Sequence, residues 1–112
     1  MTESEFLALA DEAFSSIENS LETAAETTDL DVECSRSGNV LEIECIDSRS
    51  KIIINTQAPM QEIWIAAKSG GFHYKYDGRI WRNTRDGSEL FAVLSAIVSE
   101  QAGVTVIISS AL

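Results

Sequence analysis

Several things are scarce in this sequence, and each shortage excludes something. There are two cysteines, and Cys34 and Cys45 form neither a CxxC pair nor a zinc-type spacing, so neither a disulfide framework nor a zinc ribbon is built from them. A chain of 112 residues needs no such staple, because one core of that size buries roughly two thirds of the unfolded surface. Each cysteine falls on the apolar phase of a predicted strand, which predicts two reduced core thiols and a reducing compartment. No apolar run reaches the roughly 18–20 residues that span a bilayer. Lys and Arg are absent from Met1 to Ser35, which argues against a secretory or mitochondrial leader. Together these features predict a soluble, cytoplasmic protein with no membrane span. The chain has a single histidine, and GxSxG, HExxH and cysteine–histidine arrangements are all missing. Ser69-Gly70-Gly71 opens no helix and so is not a phosphate loop. Nothing in the chain composes a convincing internal active site.

Acid is plentiful. Glu3, Glu5, Asp11, Glu12, Glu18, Glu22, Glu26, Asp29, Asp31 and Glu33 precede the first base, and the other eight acids share the rest of the chain with all eight Lys and Arg. The net charge of −10 therefore arises in the first third. That asymmetry predicts an interaction surface and argues against nucleic acid, which needs a basic footprint.

Hydrophobic periodicity gives the architecture. Phe6, Ala10, Ala13, Phe14, Ile17, Leu21 and Ala24 recur at three- and four-residue steps, the stripe of an amphipathic helix. Thr2 or Ser4 is placed to cap it, with Glu5 completing a capping box, and the pattern fades at Thr27-Thr28. The period then becomes two. Leu30, Val32 and Cys34 alternate with Asp29, Asp31 and Glu33. Further alternating runs carry Leu41-Ile43-Cys45, Ile52-Ile54, Ile63-Ile65-Ala67 and Phe72-Tyr74-Tyr76, and a last strand, Arg79–Asn83, carries Trp81. Turns are read at Ser37-Gly38-Asn39, Gln57-Ala58-Pro59, Ser69-Gly70-Gly71 and Asp77-Gly78. A second helix follows, capped by Asp86 or Ser88, with Leu90, Phe91, Leu94, Ile97 and Val98 as its stripe and Gly103 closing it. The tail after Gly103 is apolar enough to pack back, as strand or coil. The predicted fold is α+β: one domain over residues 1–112, a two-layer α-β sandwich with an antiparallel six-stranded meander, one face covered by the two helices.

Three constellations invite a functional reading. At 100° per residue, Asp11, Glu18, Glu22 and Glu26 lie within an arc of about 80°, and Asp29, Asp31 and Glu33 continue the acid onto the polar phase of the first strand. Carboxylates near a helix C-terminus are unfavourable by roughly 0.3–1 kcal/mol each, and no base in this segment relieves them. Hard carboxylate oxygens suit hard or borderline cations. The expected binding is weak, open and poorly selective among Fe2+, Fe3+, Mn2+, Co2+ and Ca2+. The same ridge equally suits a basic protein surface, with metal binding incidental. Trp64 is predicted on the outer sheet face with Asn55, Gln57, Glu62, Lys68 and His73, as an interface anchor or as a cover for its neighbours. His73 reads as a surface histidine or an auxiliary metal ligand.

The chain resembles the frataxin family, most closely its small bacterial members. "SEFLALADEAFSSIE" is similar to the family's first helix, and "SKIIINTQAPMQEIWIAAKSGGFHYKYDGRIW" resembles its central block, with an Asn-x-Gln-x-Pro turn, an Ile-Trp-x-Ala strand and a Gly-Gly-aromatic-His turn. "DGSELFAVLS" and "QAG" match its second helix and exit. The resemblance implies a monomeric α-β sandwich that binds Fe2+ and Fe3+ weakly through Glu18, Glu22, Glu26, Asp29, Asp31 and Glu33. It implies a regulator or iron-delivery factor of iron–sulfur cluster assembly, with no bond chemistry beyond helping surface-bound Fe2+ to oxidise. It implies docking of a cysteine desulfurase on the ridge, Glu18 and Glu22 included, and of the scaffold protein on Asn55, Gln57, Trp64 and Lys68. Two departures stand out. Asn19, Thr23, Ala25 and Thr27 occupy places where bacterial relatives often carry acids, so fewer cations should bind. Gln57-Ala58-Pro59 also lacks the acid often found before the proline.

Overall fold

The structure, a computed structural model, describes residues 1–110. Helix α1 covers Glu3–Thr27. Thr2 caps it: the Glu5 N–H donates to the Thr2 hydroxyl and the Thr2 N–H donates to the Glu5 carboxylate, each at 3.1 Å. Those bonds hold the Glu5 carboxyl below its ordinary range. At the other end the Thr28 hydroxyl donates to Ala24 O at 2.6 Å and accepts from the Leu30 N–H at 3.1 Å, so α1 stops where the helical pattern fades.

Six strands follow: β1 Val32–Ser37, β2 Val40–Cys45, β3 Ser50–Gln57, β4 Glu62–Ala67, β5 Gly70–Tyr76 and β6 Trp81–Asn83. They form one antiparallel sheet in chain order, the predicted meander. A 3-10 turn at Ala58–Met60 carries the proline between β3 and β4. Helix α2 covers Leu90–Ala102 and ends at Gly103, whose φ of 73° is left-handed, a conformation that glycine adopts without steric cost. Leu41, Ile43, Ile52, Ile54, Ile63, Ile65 and Tyr74 from one sheet face meet Phe6, Phe14, Ile17 and Leu21 of α1 and Leu90, Leu94 and Val98 of α2 in a single core.

Several expectations need correction. β1 begins at Val32, so Asp29 and Asp31 lie in the link after α1. Cys34 keeps the inward phase but is exposed, whereas Cys45 is buried as predicted. The reason is position: β1 is the edge strand, and the core thins out beneath it. β6 starts at Trp81 because the Asp77 carboxylate accepts from the Arg79 and Ile80 N–H groups, each at 2.9 Å, which holds those residues in a turn. The β4–β5 turn is Lys68-Ser69, one step earlier than read. Glu89 caps α2 in place of Asp86 or Ser88, accepting from the Phe91 and Ala92 N–H groups at 2.7 and 3.0 Å. The tail is an extended coil. Its Val106 and Ile108 are buried, and three serines grip its backbone. Val106 N–H donates to the Ser99 hydroxyl, Ile108 N–H to Ser95 and Ser109 N–H to Ser20, at 2.9, 2.8 and 3.2 Å. The part of the tail reading that falls on residues 111–112 lies outside the described residues.

Candidate functional site

The acidic surface is built by the exposed flank of α1 and the β1 edge. Glu18, Glu22 and Glu26, one helical turn apart, line a groove of about 420 Å3 whose other wall is Val32 and Cys34. Alternation along β1 then sends Glu33 to the opposite face of the sheet. There it sits across from Glu44, which in turn faces Lys51. Asp29 and Asp31 are exposed in the link between the two. The six predicted acids therefore follow the border of the sandwich, three on the helix side, two at the corner and one on the outer face. Among the described residues no three His, Cys, Asp or Glu side chains converge on a common metal position.

The ridge is also not free of cations, contrary to the sequence reading. Arg36, on β1, reaches back over the Phe14 ring at 5.1 Å. It pairs with Asp11 and, at 3.4 Å, with Glu18. Glu18 is thus partly engaged, while Glu22, Glu26, Asp29, Asp31 and Glu33 have no ion pair among the described residues. Arg36 escaped the sequence reading because it falls just after the acidic run. Only the register of β1 against α1 carries it back. Cys34 lines the groove although it is exposed overall, and partial desolvation together with the Glu18 carboxylate pushes its thiol up to about 11. At neutral pH it is a thiol, and so a weak ligand or nucleophile.

The second surface is the outer face of the sheet. Antiparallel register places Asn55, Trp64 and His73 side by side, with Gln57, Glu62, Lys75 and Arg82 in the next row. The Trp64 and His73 rings stack with centroids 4.1 Å apart and planes 6° from parallel. Beneath them lies the Glu62 carboxylate. It accepts from Trp64 Nε1 at 2.7 Å, with His73 Nδ1 at 3.7 Å and Lys75 Nζ at 3.8 Å. Gln57 Nε2 donates to Asn55 Oδ1 at 3.4 Å. So Asn55, Gln57 and Trp64 are brought together as expected, and His73 is part of the cluster rather than a bare surface group. Lys68 is not. It stands in the β4–β5 turn, four residues or about 13 Å along the strand direction from Trp64, and its N–H donates to Gln101 of α2 at 3.1 Å. One surface offers carboxylates open to cations, and the other a flat aromatic stack ringed by amides and bases.

Comparisons with known proteins agree over most of the chain. A family model described as "Frataxin-like domain" matches residues 1–104. The protein named "Iron-sulfur cluster assembly protein CyaY" from Janthinobacterium sp. (strain Marseille) is 65% identical over 111 residues, 99% of each chain. The protein of the same name from Herminiimonas arsenicoxydans is 63% identical, again over 99% of each. Among solved structures, frataxin from Psychromonas ingrahamii superposes with a TM-score of 0.88 at 34% identity, covering 97% of this chain and 99% of that one. Yeast frataxin, at 24% identity, shares the fold with a TM-score of 0.70 over 89% and 82% of the two chains.

Proposed function

The chain belongs to the frataxin-like family, and from that premise we propose that it acts in iron–sulfur cluster assembly as an iron-binding accessory protein rather than as an enzyme. In this reading Glu22, Glu26, Asp29, Asp31 and Glu33, with Glu18 partly held by Arg36, attract Fe2+ or Fe3+ weakly and one or two carboxylates at a time. Co2+ and Mn2+ substitute, because open carboxylates select poorly among such ions. The same flank, Glu18 and Glu22 included, docks the basic surface of the cysteine desulfurase. Asn55, Gln57 and Trp64 meet the scaffold protein. Lys68 is left out of that contact because it stands apart from the stack. The work is done in the cytoplasm.

The observation that carries the proposal is the near full-length likeness to proteins named for iron–sulfur cluster assembly, joined to a border of carboxylates that the protein itself leaves mostly unpaired. A second reading has its own support: without three converging ligands, the flank could serve a basic partner alone. Titrating the 15N-labelled protein with Co2+ separates the two. The iron reading expects amide resonances from Glu18 to Glu33 to broaden first, and Glu22→Gln combined with Glu26→Gln to reduce that broadening. Broadening scattered over the molecule, or unchanged in the double variant, leaves the metal-independent module standing.

A further inference from the structure

Glu62 is in an odd place. It opens β4 on the outer face of the sheet, where side chains usually reach water, yet it is only 4% exposed. Trp64, His73 and Lys75 close over it. A buried carboxylate is costly unless hydrogen bonds and a close cation compensate, and here the compensation comes from three outer-face side chains. Lys75 stands at 3.8 Å and also donates to Met60 O at 3.2 Å. His73, at 3.7 Å, counts as a cation only when protonated. The Arg82 guanidinium in the same row is committed to Asp77 and to Gly87 O. The one strong bond Glu62 makes is the 2.7 Å acceptance from the Trp64 indole N–H. Removing the carboxylate alone would strand the Trp64 indole N–H without its acceptor.

What the carboxylate does accomplish is orientation. A bonded indole N–H fixes the ring plane, and the His73 ring lies flat against that plane. The stack is then presented with Trp64 half-buried and the His73 side chain 45% exposed, its shape settled before any partner arrives. Surfaces ordered in advance bind more tightly, because less side-chain freedom is lost on contact. We propose that Glu62 is a positioning residue of the sheet-face docking surface, fixing Trp64, and through it His73, in the binding plane without itself touching the partner. The inference rests on the reading that this face docks the scaffold protein.

The test compares the full chain with Glu62→Gln, Glu62→Leu and Trp64→Ala. Three quantities are read: calorimetric affinity for the scaffold protein of the same organism, hydrogen exchange of the Trp64 indole N–H by NMR, and the thermal unfolding midpoint. Losing a charge-assisted bond predicts about tenfold weaker binding and about tenfold faster indole exchange in Glu62→Leu, with the faster exchange present even where the midpoint falls. Glu62→Gln keeps an acceptor without the charge and should fall between. It carries the test alone if the leucine variant does not fold. Weak binding in Trp64→Ala with wild-type affinity in both Glu62 variants overturns the inference alone. So does a loss of affinity that tracks a lowered midpoint while indole exchange stays slow, since that marks a merely structural residue. Wild-type affinity in Trp64→Ala overturns the docking reading, and the inference with it.

Discussion

Asp77 is the carboxylate most tightly engaged by its surroundings. Its Oδ1 accepts the Arg79 and Ile80 N–H groups and its Oδ2 accepts Arg82 Nε at 2.9 Å. The Ile80 N–H, then Arg82, then the Arg79 N–H hold its carboxyl down to about 2, against an ordinary value of 3.8. A depressed carboxyl stabilises the fold fully above its unfolded value, and that stabilisation is lost as pH falls toward its folded value. Urea unfolding should therefore show wild type more stable than Asp77→Asn by a constant amount above about pH 5, with the gap closing between roughly pH 4 and 2. A gap that stays constant down to pH 2 contradicts the assignment. Residue-scale features of this kind are half legible in sequence. Asp77-Gly78 announces a turn, but nothing in the residue order says that the aspartate will also draw Arg79 and Ile80 out of the strand. Cys34 makes the same point. Alternation gives its phase correctly, yet its exposure depends on being in an edge strand, which alternation does not report.

Among the elements, α2 and the tail are coupled by serines that the sequence hides best. Ser95 and Ser99 lie one turn apart on α2. Each hydroxyl accepts a tail N–H, from Ile108 and Val106 respectively. Ser99 Oγ lies 3.2 Å from Val106 O, and Ser95 Oγ lies 2.7 Å from Phe91 O and 3.2 Å from Ile108 O, so each has a carbonyl to donate to. Among the described residues the extended tail makes no strand ladder, and these hydroxyls satisfy backbone groups that would otherwise be buried without partners. Ser95→Ala should cost about 1–2 kcal/mol, read as a lower urea midpoint at unchanged slope. No change in midpoint would mean that the clamp holds nothing. A serine within a helix reads as a neutral surface residue, so this contact was invisible. The elements themselves were not. Seven apolar residues at helical spacing, from Phe6 to Ala24, and five runs alternating with period two specify one helix and a meander, with strand ends off by a few residues. The cross-strand pairs were harder, because register depends on where each turn sits. Trp64 meets His73 only because the β4–β5 turn is Lys68-Ser69.

The whole molecule is electrically lopsided across the sheet. Acids gather on α1, the corner and the β1 edge, while around β5 and β6 Lys75, Arg79, Arg82 and Arg85 are nearly balanced by Asp77, Asp86 and Glu89. Such an asymmetry orients an approaching charged partner over distances comparable with the Debye length, about 10 Å at 0.1 M salt. The charge asymmetry was plain from residue order alone. The division of the ridge between two faces of the sheet and the return of Arg36 to Asp11 and Glu18 were not, because both need the strand register.

The most direct measurement of the proposed docking role is the affinity for the organism's own cysteine desulfurase as a function of ionic strength, for wild type and for Glu22→Lys combined with Glu26→Lys. Both residues are exposed and unpaired among the described residues, so the variant keeps the fold. The account predicts wild-type binding that weakens steeply as ionic strength rises from about 0.01 to 1 M, and a double variant at least about tenfold weaker at low salt with little salt dependence left. Wild-type affinity that ignores salt, or a charge-reversed variant that binds as tightly as the parent, contradicts it.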